Sequence, residues 1–130
     1  MDSATAVELF SIDFRDAFHR CPLRQEERQF VVCKDSYGFY HVSRVVQFGL
    51  SPGPLLWARL AAAAMRLGQS AIAEWEASVC TYVDDPLISI MGESKADRTK
   101  IFLVYVAVWL SLGLQISWKK ADRGDLIHWL

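Results

Sequence analysis

Cysteine is scarce. Cys21, Cys33 and Cys80 are the three in 130 residues, widely spaced and odd in number. That spacing excludes a disulfide framework, supports no zinc site and predicts reduced core thiols. His19, His41 and His128 have no close ligand arrangement either, so none is a zinc candidate. Charge of one sign is also missing: the formal balance is −1, which argues against a strong electrostatic nucleic-acid binder acting alone. The basic residues are nevertheless uneven. Arg15, Arg20, Arg24, Arg28, Lys34 and Arg44 outnumber the acids around them, and Lys119, Lys120 and Arg123 form a second group. No long apolar run occurs. Ile101 to Leu110 is almost wholly apolar but too short to cross a bilayer, and reads as a buried segment or a face meant for a neighbour. Met1-Asp2-Ser3 is acidic and opens no cleavable signal. Repeats, low-complexity tracts and linkers are absent. These absences predict an intracellular chain, cytoplasmic or nuclear, with no membrane partner.

What is present is a core's worth of apolar residues, 52 % hydrophobic and 12 % aromatic. That excludes disorder and predicts one domain, short for a large enzyme. Val7 to Phe14 reads as a strand ending at Asp13. Phe30 to Cys33 and Gly38 to Val46 read as a hairpin or neighbouring strands. Pro54 to Leu67 has helical composition, with Gly68 as its stop. Ser78 to Met91 forms two apolar arms around Asp84-Asp85, as in a tight hairpin. Ser94 with Asp97 marks a helix start, and that helix runs to about Leu112 with Gly113 as terminator; the β-branched content of Ile101 to Val108 also permits a strand. Leu114 to Trp118 and Leu126 to Leu130 read as short closing strands. The order predicts an α+β fold, an antiparallel sheet with helices packed on one face.

Tyr82-Val83-Asp84-Asp85 carries the chemistry. Adjacent carboxylates between apolar arms are costly unless a cation neutralises them or water reaches them. If the hairpin tip lies beside the end of the first strand, Asp13, Asp84 and Asp85 converge. Such oxygen ligands suit Mg²⁺, and two ions would activate a hydroxyl and stabilise a leaving oxygen. The alternative is an exposed, solvated turn.

Three strings in order, Ser11-Ile12-Asp13-Phe14-Arg15-Asp16-Ala17-Phe18-His19, Phe48-Gly49-Leu50-Ser51-Pro52 and Tyr82-Val83-Asp84-Asp85, resemble the successive motifs of a reverse transcriptase palm of retrotransposon and retrovirus-like type. Leu112-Gly113-Leu114 with Lys119-Lys120 is similar to the next motif, and Ile127-His128-Trp129-Leu130 to the opening of the one after. The resemblance implies a partial reverse transcriptase domain over residues 1–130, a palm with a remnant of the fingers, with fingers and thumb largely absent. It implies catalytic Asp13, Asp84 and Asp85, and metal ligation by those three with the Phe14 carbonyl, the cofactor being Mg²⁺ or its substitute Mn²⁺. Nucleotide-binding positions are implied at Phe14, Arg15, Asp16, Ala17, Phe18, Phe48, Gly49 and Lys120. Phe18 matches an aromatic gate against the ribose 2′-hydroxyl, Lys120 a basic residue near the incoming phosphates, and Tyr82 a primer-proximal residue. On the residues alone, Phe18 reads first as a core aromatic and Lys119-Lys120 as a solvated pair, while Arg15 with Asp16 reads equally as a surface ion pair.

Two positions depart from the pattern. Gln47 stands where related enzymes have proline, and Pro86, lacking an N–H, follows the acidic pair and is expected to remove one hairpin hydrogen bond near Asp85. Few residues precede Asp13, so the substrate clamp supplied by the fingers is missing. The first reading is therefore RNA-directed DNA polymerisation, a two-metal deoxynucleotidyl transfer to a primer 3′-hydroxyl. Its partners would be an RNA or DNA template with primer, deoxynucleoside triphosphates, and either fingers and thumb segments or a second copy. The second is a catalytically reduced palm acting as a binding or assembly module. A third, a metal-dependent nuclease, needs another acid, and Asp16 is the nearby candidate.

Overall fold

A computed structural model of the chain describes residues 6–129; Met1-Asp2-Ser3 and Leu130 lie outside the described residues. In chain order the elements are β1 (Ala6–Ser11), β2 (Phe14–Arg15), β3 (Val32–Lys34), β4 (Tyr40–Val42), α1 (Gly53–Ser70), β5 (Ala77–Tyr82), β6 (Asp85–Gly92), α2 (Lys95–Ser111), β7 (Gln115–Ile116) and β8 (Asp122–Gly124). Short 3-10 turns cover Ala17–Arg20, Gln25–Phe30 and Trp118–Lys120. Four antiparallel strands form the main sheet in the order β5-β6-β1-β8, while β2 pairs with β7 and β3 with β4.

Alternation along the strands sets the layers. On β6, Pro86, Ile88 and Ile90 are buried and the residues between them are more open. Their partners in register are Phe10 and Glu8 on β1 and Ala77 on β5. Successive strand residues point to opposite sides, so this row is one face, and α1 and α2 pack on it. Helix α1 supplies Trp57, Ala61, Ala64, Met65 and Gly68, a stripe of helical spacing. A Cβ at Gly68 would lie 2.8 Å from Tyr105 Cδ1, so this glycine is a close-approach position inside the helix and not its stop.

Between the two permitted forms of Ile101 to Val108, the cap and the period decide for helix. Ser94 Oγ accepts from the Asp97 backbone N–H at 3.1 Å. The side chains that reach the core are Tyr105, Val106 and Trp109, a spacing that strand alternation would not produce. Two hydrogen bonds then tie the helices together: Trp109 Nε1–H donates to the Ala64 carbonyl at 3.0 Å, and Tyr105 O–H donates to Gln69 Oε1 at 2.9 Å. Gly113, at φ 80°, ends α2: its N–H donates to the Leu110 carbonyl and the Leu114 N–H to that of Trp109, both at 3.0 Å.

Other expectations change. The first strand stops at Ser11, and Phe14–Arg15 joins a different sheet. Residues 126–129 form no strand; the closing strand of the main sheet is Asp122–Gly124. Of the three free thiols only Cys21 is buried, and burial raises its pKa, whereas Cys33 and Cys80 are exposed. No helix of the described residues is long and apolar enough to cross a membrane.

Candidate functional site

The β1–β6 pairing is antiparallel, with Ser11 opposite Leu87. Continued by two residues, the same register sets Asp13 opposite Asp85. Backbone bonds carry it past the end of β1: the Ile12 N–H donates to the Pro86 carbonyl at 3.1 Å, and the Phe14 N–H to the Asp84 carbonyl at 2.8 Å. Antiparallel ladders exchange bonds in both directions at such pairs. At the Ile12–Pro86 pair, Pro86 has no N–H to return, so that bond runs one way. The Tyr82–Asp85 pair closes the two-residue turn, which directs the next residue's backbone groups away from β5. The donor that Pro86 lacks is therefore missing toward β1, and the hairpin itself is intact.

The turn is Val83-Asp84, and Val83 sits at φ 54°, a left-handed conformation that a β-branched residue adopts only under strain. Trp57, fully buried on α1, holds it: its Nε1–H donates to the Val83 carbonyl at 2.7 Å. The Ser117 N–H donates to the Asp13 carbonyl at 2.8 Å, bringing the segment after β7 to the same place. Beneath lies Phe14, whose ring meets Trp57 and Trp109 edge-on at centroid distances of 6.0 and 5.3 Å.

The side chains are arranged differently from the metal expectation. Asp13 is buried, and Lys120 Nζ lies 3.3 Å from its Oδ2. Hydrogen bonding to Asp13, together with the charge of Asp13, raises the Lys120 pKa, with Asp85 and Asp84 adding to the effect. Asp85 also titrates above the ordinary carboxylate range, first through burial, then through the charges of Asp84 and Asp13. Asp84 belongs to the turn and stands outside the Asp13–Asp85 pairing. Among the described residues, no three His, Cys, Asp or Glu side chains form a group placed to hold a metal ion. The expected ligation by Asp13, Phe14, Asp84 and Asp85 is thus corrected, and Mg²⁺ or Mn²⁺ does not fit this arrangement. The two-metal transfer reading is corrected with it. The physical difference is that a protein cation, Lys120, neutralises the buried acid.

The nucleotide-binding expectations do not gather in one place. Phe18 packs on Phe48 at a centroid distance of 5.0 Å, and Phe48 is 72 % exposed beside Gly49. Ala17 and the Phe14 ring are core. Arg15 and Asp16 form an exposed ion pair at 3.4 Å, a contact of small energetic value. Tyr82, 58 % exposed, stands at the hairpin end. Of the histidines, His41 Nε2 lies 2.8 Å from Asp35 Oδ2, away from the acidic pair.

Two residues were missed. Trp57 looked like any apolar helix position, and nothing in the sequence pairs it with Val83. Glu8 is a lone acid in the apolar strand Ala6–Ser11, the same signal that singled out Asp13. It is 6 % exposed and paired with Arg98 Nε at 2.9 Å and Arg123 Nε at 2.7 Å. Arg123 therefore belongs to this structural clasp and not to a free basic surface.

No curated protein sequence matches the chain. Many solved structures share its fold, and two of them are foamy viral proteins. One is a foamy viral protease–reverse transcriptase with double-stranded DNA, at TM-score 0.72, 20 % identity and 88 % coverage of this chain. The other is a foamy viral protease–reverse transcriptase with an RNA/DNA hybrid, at TM-score 0.71, 21 % identity and the same coverage. The chain spans only 18 % and 14 % of those two proteins. The family model described as reverse transcriptase (RNA-dependent DNA polymerase) matches residues 2–130. With a palm-like sheet, two packed helices and a match over nearly its whole length, the chain belongs to the reverse transcriptase family.

Proposed function

We propose that this chain is a catalytically reduced reverse transcriptase palm, a partial domain with a remnant of the fingers, acting as a binding module for primer–template nucleic acid. The carrying observation is the contact of Lys120 Nζ with Asp13 Oδ2 at 3.3 Å. A cation supplied by the chain itself satisfies the acid on which metal-dependent transfer would depend. In this reading Asp13, Asp84 and Asp85 keep the family's positions and do not turn over substrate, while backbone bonds and Trp57 hold the hairpin that carries them. Binding is supported by the nucleic acids in the two foamy viral structures. It is supported too by exposed rings at Tyr82 and Phe48, since aromatic faces stack on bases without regard to sequence. Phe48 and Gly49 line a surface recess, Phe18 packs on Phe48, and Arg15 offers charge to phosphates. The near-neutral total charge implies few phosphate contacts and a shallow salt slope, about −0.9 per phosphate neutralised. Fingers and thumb segments, or a second copy, would cover the remaining surface.

The test combines two measurements on the full chain. Fluorescence anisotropy with a labelled RNA/DNA primer–template should give saturable, salt-dependent binding that weakens on replacing Tyr82 and Phe48 by alanine. Primer extension with deoxynucleotides should give no product with either Mg²⁺ or Mn²⁺. Extension would overturn the reduced-palm reading, and failure to bind would overturn the nucleic-acid partner.

A further inference from the structure

The strained turn is held by a side chain from outside the hairpin. Val83 at φ 54° is costly for a β-branched residue, and the chain left to itself would relax it. Two donors reach the Val83 carbonyl, the Trp57 indole N–H at 2.7 Å and the Thr81 hydroxyl at 3.5 Å. The indole makes the stronger bond. Trp57 is fully buried, with its ring edge-on to Phe14. An indole N–H can only donate, and a buried one without an acceptor is penalised. Turning the Val83 carbonyl away would strand that donor, so the bond selects one turn. Tyr82 directly precedes Val83, pairs with Asp85 across the turn and exposes its ring. A different turn would move that ring.

We propose that Trp57 is a positioning residue: through the Val83 carbonyl its indole N–H fixes the strained turn, and with it the place of the Tyr82 ring against primer–template nucleic acid. The ring's contact with nucleic acid rests on the function proposed above; the fixing of the turn does not.

Trp57→Phe keeps an aromatic ring in the core and removes the donor. Trp109→Phe is the control, because its indole bond runs to the Ala64 carbonyl on α1 and not to the turn. In NMR of the full chain without nucleic acid, Trp57→Phe should shift the Tyr82 and Asp85 amide signals and change the Val83 HN–Hα coupling, while Trp109→Phe leaves that coupling unchanged. Adding Val83→Gly to Trp57→Phe should return the Tyr82 and Asp85 signals toward those of the parent, since glycine takes φ 54° freely. In anisotropy titrations with a labelled RNA/DNA primer–template, Trp57→Phe should bind roughly five- to tenfold more weakly, a part of what one base–aromatic stack contributes. Val83→Gly should recover most of that loss, and Trp57→Phe should cost nothing further in a Tyr82→Ala background. Folding of each variant is checked by its amide spectrum. Independently of any variant, the parent's Trp57 indole proton should exchange with deuterium far more slowly than that of exposed Trp75. Unchanged turn signals in Trp57→Phe, equal affinity losses in the two tryptophan variants, no recovery with Val83→Gly, or equal exchange of the two indoles would each overturn the proposal. Absence of binding by the parent chain would instead overturn the nucleic-acid reading and the ring's contact with it, and the turn signals then decide the role of Trp57.

Discussion

Replacing Glu8 by glutamine keeps the shape of the side chain and removes the charge that two arginines share. Arg98 Nε donates to Oε2 at 2.9 Å, Arg123 Nε donates to Oε1 at 2.7 Å, and Arg123 Nη2 donates to Oε2 at 2.9 Å. The Arg123 guanidinium also lies over the Phe10 ring, 4.6 Å from its centroid. One carboxylate therefore joins β1, α2 and β8. The Arg123 hydrogen bond, helped by Arg98 and opposed by burial, holds the Glu8 pKa at about 2, against an ordinary 4.5. Such a depression corresponds to about 3 kcal/mol of linked stability, similar to the ~3–5 kcal/mol for removing one partner of a buried pair. Arg123 is partly open to solvent, which favours the lower end, about 2–3 kcal/mol. For a chain of this length that is a fall in Tm of roughly 7–11 °C. The sign follows from a depressed acid: the contribution is full above the unfolded pKa of 4.5 and is lost as pH falls toward about 2. Urea unfolding followed by tryptophan fluorescence should thus show a gap between parent and Glu8→Gln that is largest near neutrality and narrows below pH 4.5. Arg123→Gln should cost a similar amount, and the double variant little more than either alone. A gap under about 1 kcal/mol, or one independent of pH, would refute the reasoning.

Val83→Gly should raise stability by about 1 kcal/mol, because glycine adopts φ 54° without the strain of a β-branched residue; an unchanged or lower urea midpoint would count against strain at the turn. Gly68→Ala should lose about 2 kcal/mol although alanine is the better helix former, because its Cβ meets Tyr105 at 2.8 Å. A stabilised variant would show that Tyr105 moves aside. Asp85→Asn should raise Tm at neutral pH by the equivalent of a few tenths to 1 kcal/mol, the scale of a like-charge cross-strand pair. The Asp85 pKa lies above its ordinary 3.8, so its charged form is the penalised one. The advantage of asparagine should therefore shrink as pH falls through the raised pKa toward 3.8, and thermal scans across that range check it.

The elements that were legible in the sequence are those whose cues are local. Ser94 and Asp97 mark a cap, Gly113 a helix stop, and the two apolar arms from Ser78 to Met91 a hairpin; each appears within a residue or two of its expected place. Gly68 was misread because its role depends on Tyr105, 37 positions away, and a helix stop and a close-approach glycine have the same composition. The break after Ser11 is hidden because Ile12 and Phe14 extend the strand-like pattern around Asp13, while the absent donor of Pro86 lies on another strand. At the site, the strings predict that Asp13, Asp84 and Asp85 converge on a metal, whereas the structure sets Asp13 opposite Asp85 in the strand register and forms no metal-holding group among the described residues. They did not reveal that Lys120 would face Asp13 itself. Side-chain pairing across three segments is a tertiary result, and no spacing rule encodes it.

These facts separate how the hairpin is held from what its acids do. Four bonds fix it: Ile12 N–H to the Pro86 carbonyl, Phe14 N–H to that of Asp84, Ser117 N–H to that of Asp13, and Trp57 Nε1–H to that of Val83. None uses a carboxylate. The two-tryptophan contact around Phe14 anchors the same point in the core. The geometry that makes this chain recognisable as a palm is therefore stored in backbone bonds and aromatic packing, which tolerate changes in the acids above them. Charge in that layer is compensated locally by Lys120, at a contact where Lys120 is mostly exposed and which is correspondingly easy to gain or lose. The palm fold thus rests on backbone bonds and aromatic packing, and the charge layer above it is set separately, through side chains such as Lys120.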